Sequence, residues 1–160
     1  MSLVLGKFFK QDILTTNQTL KPIILITTPI DDSEGSAPPE ILFVLTQDNE
    51  QLYDTNGNLI TTINCISKVS NVKTSNNYDS KKLKINRLRC SLYNYYDSSS
   101  KITDYINSSI IGNQMYLFYK SPTTNIINLY SYFENVVEDY DCALVFMGEI
   151  NRIDYNNDII

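Results

Sequence analysis

The sequence predicts a mainly β protein, folded as a curved antiparallel sheet, a barrel or a sandwich, with at most one or two short helices. Three observations support this prediction. Short apolar runs rich in β-branched and aromatic residues recur along the chain, separated by Pro, Gly, Asn, Asp and Ser. An Asn-Gly dipeptide at residues 56–57 joins two of these runs, residues 51–55 and 58–63, which is a strong hairpin signal. Residues 81–95 alternate polar and apolar side chains with a one-residue slip at residues 86–87, the pattern of a β-bulge in a curved sheet.

The remaining strands follow from the same patterns. Outside the hairpin, the predicted strands comprise residues 4–9, 23–28, 41–46, 81–95, 114–120 and 141–155. Residues 114–120 are apolar on both faces, which predicts a central strand or one at an interface. Gly148 lies in the middle of the last strand, where glycine marks a bend, a bulge or a close backbone approach. Residues 126–133 and 136–137 fit either short strands or a helix.

One short helix or helical turn is predicted within residues 102–111. Five residues recur there at helical spacing: Ile102, Tyr105, Ile106, Ser109 and Ile110. Residues 67–80 are polar and predict a connection, and residues 156–158 predict a turn just before the end of the sequence.

The length of 160 residues suits a single β domain spanning residues 1–160. Residues 29–39 are acidic and small, with no apolar periodicity, and we expect a flexible loop there. Charged residues make up 19% of the chain, below the average of about 25% for globular proteins. A polar but weakly charged surface is common where proteins bury large faces against neighbours, although an AT-rich genome accounts equally well for this composition.

Charge and targeting signals exclude several classes of function. A net charge of −5 and a pI of about 4.6 leave no basic footprint for nucleic acid. The basic cluster at residues 81–89 is interpreted as the solvated edge of a strand, and the alternative is a phosphate-binding stripe. We expect no membrane span, because no apolar run approaches the roughly 18 residues that a span needs. We expect no secretory signal, because residues 1–7 lack a basic region followed by a long apolar region. Three widely spaced cysteines, Cys65, Cys90 and Cys142, predict buried thiols in a reducing cytoplasm rather than disulfides.

The residue types also argue against catalysis. Histidine is absent, which removes the commonest general base and metal ligand. We therefore expect no enzyme activity, no cofactor and no metal site. The acidic group of Glu138, Asp139 and Asp141 would serve a hydrolase only if these carboxylates met in a cleft. Residues 54–58 are similar to part of a calcium loop, but Gly57 comes too early for the EF-hand pattern, and a hairpin accounts for the same residues.

Tyrosine is unusually frequent, with twelve in the chain. Tyrosines at this density are most often interface residues, since one end of the side chain is apolar and the other polar. The alternative is a carbohydrate-stacking platform, which requires exposed tyrosines clustered on one face.

Residues 65–155 resemble the first β-domain of bacteriophage tail-tip and baseplate-hub proteins. The resemblance is carried by the order of segments: a polar lead-in at residues 71–79, a long strand at 81–94, Ile111-Gly112, the apolar strand 115–119, and a second amphipathic strand at 143–153 containing Phe146 and Gly148. It implies a β-barrel-like hub domain within a symmetric ring, with other virion proteins as partners. The resemblance transfers no catalytic residues.

These observations together predict a non-enzymatic virion structural protein that forms homo-oligomers in a tail or baseplate ring and is assembled in the host cytoplasm. The alternatives are a carbohydrate- or receptor-binding β-module of a fibre or adhesin, and a head–tail connector or capsid decoration protein. The loop at residues 29–39 and the C-terminus are the expected contact arms, since an exposed terminal strand can join a neighbour's sheet. The predicted partner-contact residues are Asp31, Asp32, Glu34, Tyr95, Tyr96, Asp158, Ile159 and Ile160.

Overall fold

The prediction of a mainly β fold is confirmed by a computed structural model. The structure describes residues 20–29, 31, 33, 35, 39–47, 51–54, 56–70, 88–94, 101–120 and 142–155, and the side chains of residues 142–144 are not among them. The strands are β1 (Lys21–Thr27), β2 (Ile41–Thr46), β3 (Leu52–Tyr53), β4 (Leu59–Ile60), β5 (Ile63–Asn64), β6 (Ile66–Val69), β7 (Cys90–Leu92), β8 (Gln114–Lys120) and β9 (Cys142–Glu149). Two 3₁₀-helices cover Ile102–Asp104 and Ser108–Ile110. The predictions for residues 4–9, 126–137 and 156–158 lie outside the described residues.

Five strands form a central sheet in the order β5-β2-β1-β8-β9. The pairs β1–β2, β1–β8 and β8–β9 are antiparallel, as predicted. The short strand β5 runs parallel to β2, so the sheet is mixed at that edge. Strand β8 lies between β1 and β9 and has the predicted bounds, which confirms its predicted central position.

Both faces of the central sheet are buried along β1 and β8, because these strands are apolar on both sides. One face, here called the Leu117 face, packs against β6, β7 and the 3₁₀-helices; its buried residues are Ile24, Ile26, Leu45, Cys65, Ile66, Leu92, Ile102, Ile106, Ile110 and Leu117. The opposite face, the Tyr116 face, packs against the β3–β4 hairpin; its buried residues are Ile23, Leu25, Val44, Leu52, Tyr116 and Phe118. The sheet is therefore the middle layer of the described fold.

The predicted hairpin is confirmed, but its turn is one residue longer than expected. Leu52 pairs with Ile60 and Tyr53 with Leu59. The Asp54 N–H donates to the Asn58 carbonyl at 2.8 Å, and the Gly57 N–H donates to the Asp54 carbonyl at 3.0 Å. Three residues thus separate the closing pair, with Gly57 at a φ of 84°. This is the three-residue loop that ends in a left-handed residue, and it replaces the predicted two-residue turn.

The predicted helical segment forms two separate 3₁₀-turns. Ile102, Ile106 and Ile110 are buried as the spacing predicts, whereas Tyr105 and Ser109 are exposed. The Asn107 side chain accepts a hydrogen bond from the Ser109 N–H at 2.9 Å, which starts a new turn in place of a continuous helix.

Three strand predictions need correction. Residues 67–69, predicted to lie in a polar connection, form β6 together with Ile66, which is buried against the core and pairs with Leu92 of β7. Of residues 81–95, the described part forms regular strand only at β7, and residues 81–87 lie outside the described residues. Strand β9 ends at Glu149 instead of residue 155. Beyond it, the Gly112 N–H donates to the Ile150 carbonyl and the Ile150 N–H donates to the Asn113 carbonyl.

Gly148 is a site of close packing and not of a bend. The register of β8 and β9 shifts between Leu117 and Phe118, which places the bulge at Val145. A β-carbon at Gly148 would lie 2.9 Å from two ring carbons of Phe146. The glycine therefore leaves room for the Phe146 ring to lie over the strand.

Candidate functional site: the outer edge of the central sheet

Strand β9 is the last strand in the order of the central sheet. It pairs with β8 along its inner side, over a register that runs from Gln114 opposite Glu149 to Lys120 opposite Cys142. Within the part of the chain that the structure describes, no strand pairs with its outer side. An edge strand of eight residues carries a row of backbone donors and acceptors that another strand can use.

Exposed and half-buried side chains alternate along β9. Val145, Met147 and Glu149 are exposed, and Phe146 and Gly148 between them are half-buried. The exposed fractions of Val145 and Met147 are 39% and 45%, so two apolar side chains lie next to the outer edge. Met147 is opposite Tyr116 in the register, which places it on the Tyr116 face. The outer strand thus offers an apolar strip.

Sheet edges in monomeric proteins usually carry lysine, proline or a bulge, which prevent pairing with other chains. Strand β9 has the bulge at Val145, but Glu149 is the only charged residue in its sequence, and it contains neither lysine nor proline. The other edge of the sheet differs, because β5 is only two residues long and covers only Leu45 and Thr46 of β2. Strand β9 is therefore the longer edge.

The loop between β1 and β2 is closed at its base by two hydrogen bonds. The Thr28 N–H donates to the Glu40 carbonyl at 2.9 Å, and the Glu40 N–H donates to the Thr28 hydroxyl at 2.9 Å. Asp31 is exposed in this loop and accepts a hydrogen bond from the Ser33 N–H at 3.0 Å. Hydrogen bonding by the Ser33 side chain and backbone holds the pKa of Asp31 below its ordinary value.

Of the predicted partner-contact residues, the structure describes Asp31 alone, and it places this residue on the β1–β2 loop. The other predicted contact residues lie outside the described part of the chain: Asp32, Glu34, Tyr95, Tyr96, Asp158, Ile159 and Ile160. The outer edge of β9 was not among the predicted contacts. The apolar run at residues 142–148 predicts a strand but does not show its position at the edge of the sheet.

The described tyrosines divide into three groups by exposure. Tyr116 is buried, Tyr53 and Tyr119 are half-buried, and Tyr93, Tyr105 and Tyr155 are exposed. The Asn94 side chain accepts a hydrogen bond from the Thr103 N–H at 3.0 Å. This bond joins the segment that carries Tyr93 to the segment that carries Tyr105.

The described cysteines and carboxylates do not form a metal site or a reactive thiolate. Burial raises the pKa of Cys65 to about 12 and that of Cys90 to about 11, so both thiols are protonated at neutral pH. Among the described residues, no three Cys, Asp or Glu side chains are grouped as a metal site would require. The Asp54 carboxylate accepts hydrogen bonds from the N–H groups of Asn56 and Asn58, each at 2.9 Å. The hydrogen bonds of Asp54 within the hairpin therefore account for residues 54–58, which are similar to part of a calcium loop, without a metal ion.

The acidic group of Glu138, Asp139 and Asp141 lies outside the described residues. In the part of the chain that the structure describes, no helix has the length and apolar character needed to cross a membrane. Comparison of the chain with protein-family models, curated proteins and solved structures finds no match.

Proposed function

We propose that this chain is a non-enzymatic structural protein of a bacteriophage virion, which assembles with other chains through the edge of its central sheet. The observation that carries the proposal is the eight-residue outer strand β9, which exposes Val145 and Met147 beside an outer side that no described strand covers. Both faces of the sheet are buried along β1 and β8, whereas β9 exposes apolar side chains at the margin of the sheet.

Strand addition explains how such an edge would bind. An incoming strand forms main-chain hydrogen bonds along β9, and side chains at alternate positions pack against the exposed apolar strip. Val145 and Met147 supply apolar area for this contact. The one charged residue of β9, Glu149, lies at the end of the strand, where its desolvation is least required. The sequence also predicts contact arms at residues 29–39 and 156–160, and strand addition is the expected mode of binding for the second of these.

Assignment to a tail or baseplate ring is supported by the order of segments in residues 65–155 and by the mainly β fold. Heterologous contacts between copies would close such a ring, with β9 of one copy joining another surface of the next. A head–tail connector or a capsid decoration protein would use the same kind of contact. The symmetry of the assembly distinguishes these possibilities.

The test is the solution mass of the purified chain, measured by light scattering over a concentration series. We expect a discrete oligomer for the natural chain. Met147→Lys places a charge on the apolar strip and is expected to raise the dissociation constant at least about tenfold, which corresponds to about 1.4 kcal/mol. Leu59→Lys is the matched control, since Leu59 is 60% exposed on the β3–β4 hairpin and outside the proposed contact.

Circular dichroism of each variant checks that the fold is retained. If Met147→Lys and Leu59→Lys alter the mass equally, the contact does not involve β9. A natural chain that is monomeric at every concentration contradicts self-assembly. Addition of other virion proteins to that monomer would then show whether assembly depends on a different chain.

A second candidate function, a carbohydrate- or receptor-binding module, is favoured by the exposure of Tyr93 and Tyr105 on two segments joined by the Asn94–Thr103 hydrogen bond. Tyrosine rings can stack on the apolar faces of sugars. The test is binding of host-cell polysaccharide to the natural chain and to Tyr93→Ala and Tyr105→Ala variants. Tyr155→Ala serves as the control, because Tyr155 is also exposed but lies on the C-terminal segment. Equal binding by all four chains contradicts this function.

A further inference from the structure

The turn of the β3–β4 hairpin contains the one Asn-Gly dipeptide of the sequence, Asn56-Gly57. Both residues are exposed. A β-carbon built on Gly57 meets no atom within 4 Å, so solvent reaches the backbone at this position freely. Among the described residues, none forms a hydrogen bond with the Asn56 carboxamide. The Asn56 side chain is thus free to rotate toward the following peptide nitrogen.

We propose that Asn56 is a site of spontaneous deamidation, controlled by opening of the hairpin turn. Asparagine is among the chemically labile residues, and glycine at the next position leaves the approach to its backbone nitrogen unhindered. The Gly57 nitrogen loses its proton to solvent base and attacks Cγ of Asn56. The N–Cγ bond forms, the carboxamide C–N bond breaks, and the departing nitrogen takes a proton from solvent and leaves as ammonia. Water then opens the cyclic imide at either carbonyl, which yields aspartate or isoaspartate.

Hydrogen bonds within the turn restrain this reaction. The attacking nitrogen is engaged in the folded turn, because the Gly57 N–H donates to the Asp54 carbonyl at 3.0 Å. The Asp54 carboxylate also holds the chain on either side of Gly57, with bonds from the N–H groups of Asn56 and Asn58. For the Gly57 nitrogen to attack, its hydrogen bond to the Asp54 carbonyl must break. The two hydrogen bonds to the Asp54 carboxylate oppose the movement of the backbone that this requires. The folded chain should therefore deamidate more slowly than the denatured chain.

The product alters the hairpin directly. Aspartate or isoaspartate at position 56 adds one negative charge close to the Asp54 carboxylate. Isoaspartate also lengthens the backbone by one carbon, which is incompatible with the closing bond between Gly57 and Asp54. Leu52 of the same hairpin is buried on the Tyr116 face, so the change affects an element that covers the core.

Asn107-Ser108 is an internal control, because its asparagine is also followed by a small residue. Its side chain is restrained at both ends, by a bond from the Ser109 N–H at 2.9 Å and a bond to the Thr103 carbonyl at 3.3 Å. We expect Asn56 to deamidate at least about tenfold faster than Asn107, a ratio that corresponds to about 1.4 kcal/mol of activation free energy.

The experiment follows the full chain in mildly alkaline buffer at physiological temperature. Proteolysis and mass spectrometry quantify each asparagine over time, with chromatographic separation of the aspartate and isoaspartate peptides. Asp54→Ala should accelerate the reaction at Asn56. Asp31→Ala should leave its rate unchanged, since Asp31 makes the same kind of bond in a different loop. The proposal is overturned if Asn56 persists while Asn107 reacts, if denaturation in urea does not accelerate the reaction, or if Asp54→Ala has no effect.

Discussion

Two leucines on opposite faces of the central sheet test whether both faces are enclosed. Leu25 of β1 lies on the Tyr116 face and Leu117 of β8 lies on the Leu117 face, and each is 0% exposed. Replacing either leucine by alanine removes apolar groups worth about 2.5 kcal/mol, at about 0.8 kcal/mol per buried CH₂. The cavity that remains adds about 1 kcal/mol. We therefore expect each variant to lose about 3.5 kcal/mol of unfolding free energy.

Leu59→Ala provides the matched control, because the same substitution is made at a side chain that is 60% exposed. Its expected cost is below about 0.5 kcal/mol. Urea denaturation followed by circular dichroism and tyrosine fluorescence measures the three differences, since the chain has twelve tyrosines and no tryptophan. A loss below about 1.5 kcal/mol for either buried leucine would refute the inference that its face is enclosed, whereas equal large losses support a sheet covered on both sides.

Two further predictions concern Gly148 and the cysteines. Gly148→Ala places a β-carbon 2.9 Å from the Phe146 ring and should cost about 1 kcal/mol in urea denaturation. This loss of unfolding free energy should vanish when Gly148→Ala is made in the Phe146→Ala variant. If the loss persists there, the Phe146 ring is not the group with which the added β-carbon clashes. Cys65, which is buried, should resist alkylation until the chain unfolds, and the half-buried Cys90 should react faster than Cys65, as peptide mapping can show. Their pKa values of about 12 and about 11 lie above the ordinary 9.0, so their contribution to stability is present below pH 9 and declines as the pH rises through these values. Rapid alkylation of Cys65 in the folded chain would contradict its burial, and stability that is constant across this range would contradict the raised pKa values.

The parts of the fold that were predictable are those set by local pattern. Strand β8 was identified with its final bounds, because seven consecutive residues with two apolar faces admit few other structures. The Asn-Gly turn likewise identified the β3–β4 hairpin. Its loop length was wrong because the Asp54 side chain binds the backbone N–H groups of Asn56 and Asn58, and this favours the longer turn.

The parts that were missed depend on distant residues. Strand β6 contains Ser67 and Lys68, and only its pairing with β7 reveals it as a strand. Strand β5 is two residues long and exists through its parallel contact with β2. The candidate interface was missed for the same reason, since the sequence of β9 predicts a strand but not its place in the sheet order. Edge position is a property of the whole topology, and no pattern within residues 142–149 encodes it.

The pairing of β1 with β8 has a consequence for how the chain reaches its native state. Residues Lys21 and Lys120 are register partners, as are Thr27 and Gln114, so this contact joins segments on the order of ninety residues apart. During synthesis β1 and β2 emerge early and can form their hairpin alone, but β1 must wait for β8. Until then a strand containing Ile23, Ile24, Leu25 and Ile26 has one unpaired side. Folding should therefore be slow. The intermediate in which β1 is paired with β2 but not yet with β8 should be the species most prone to aggregate or to need a chaperone.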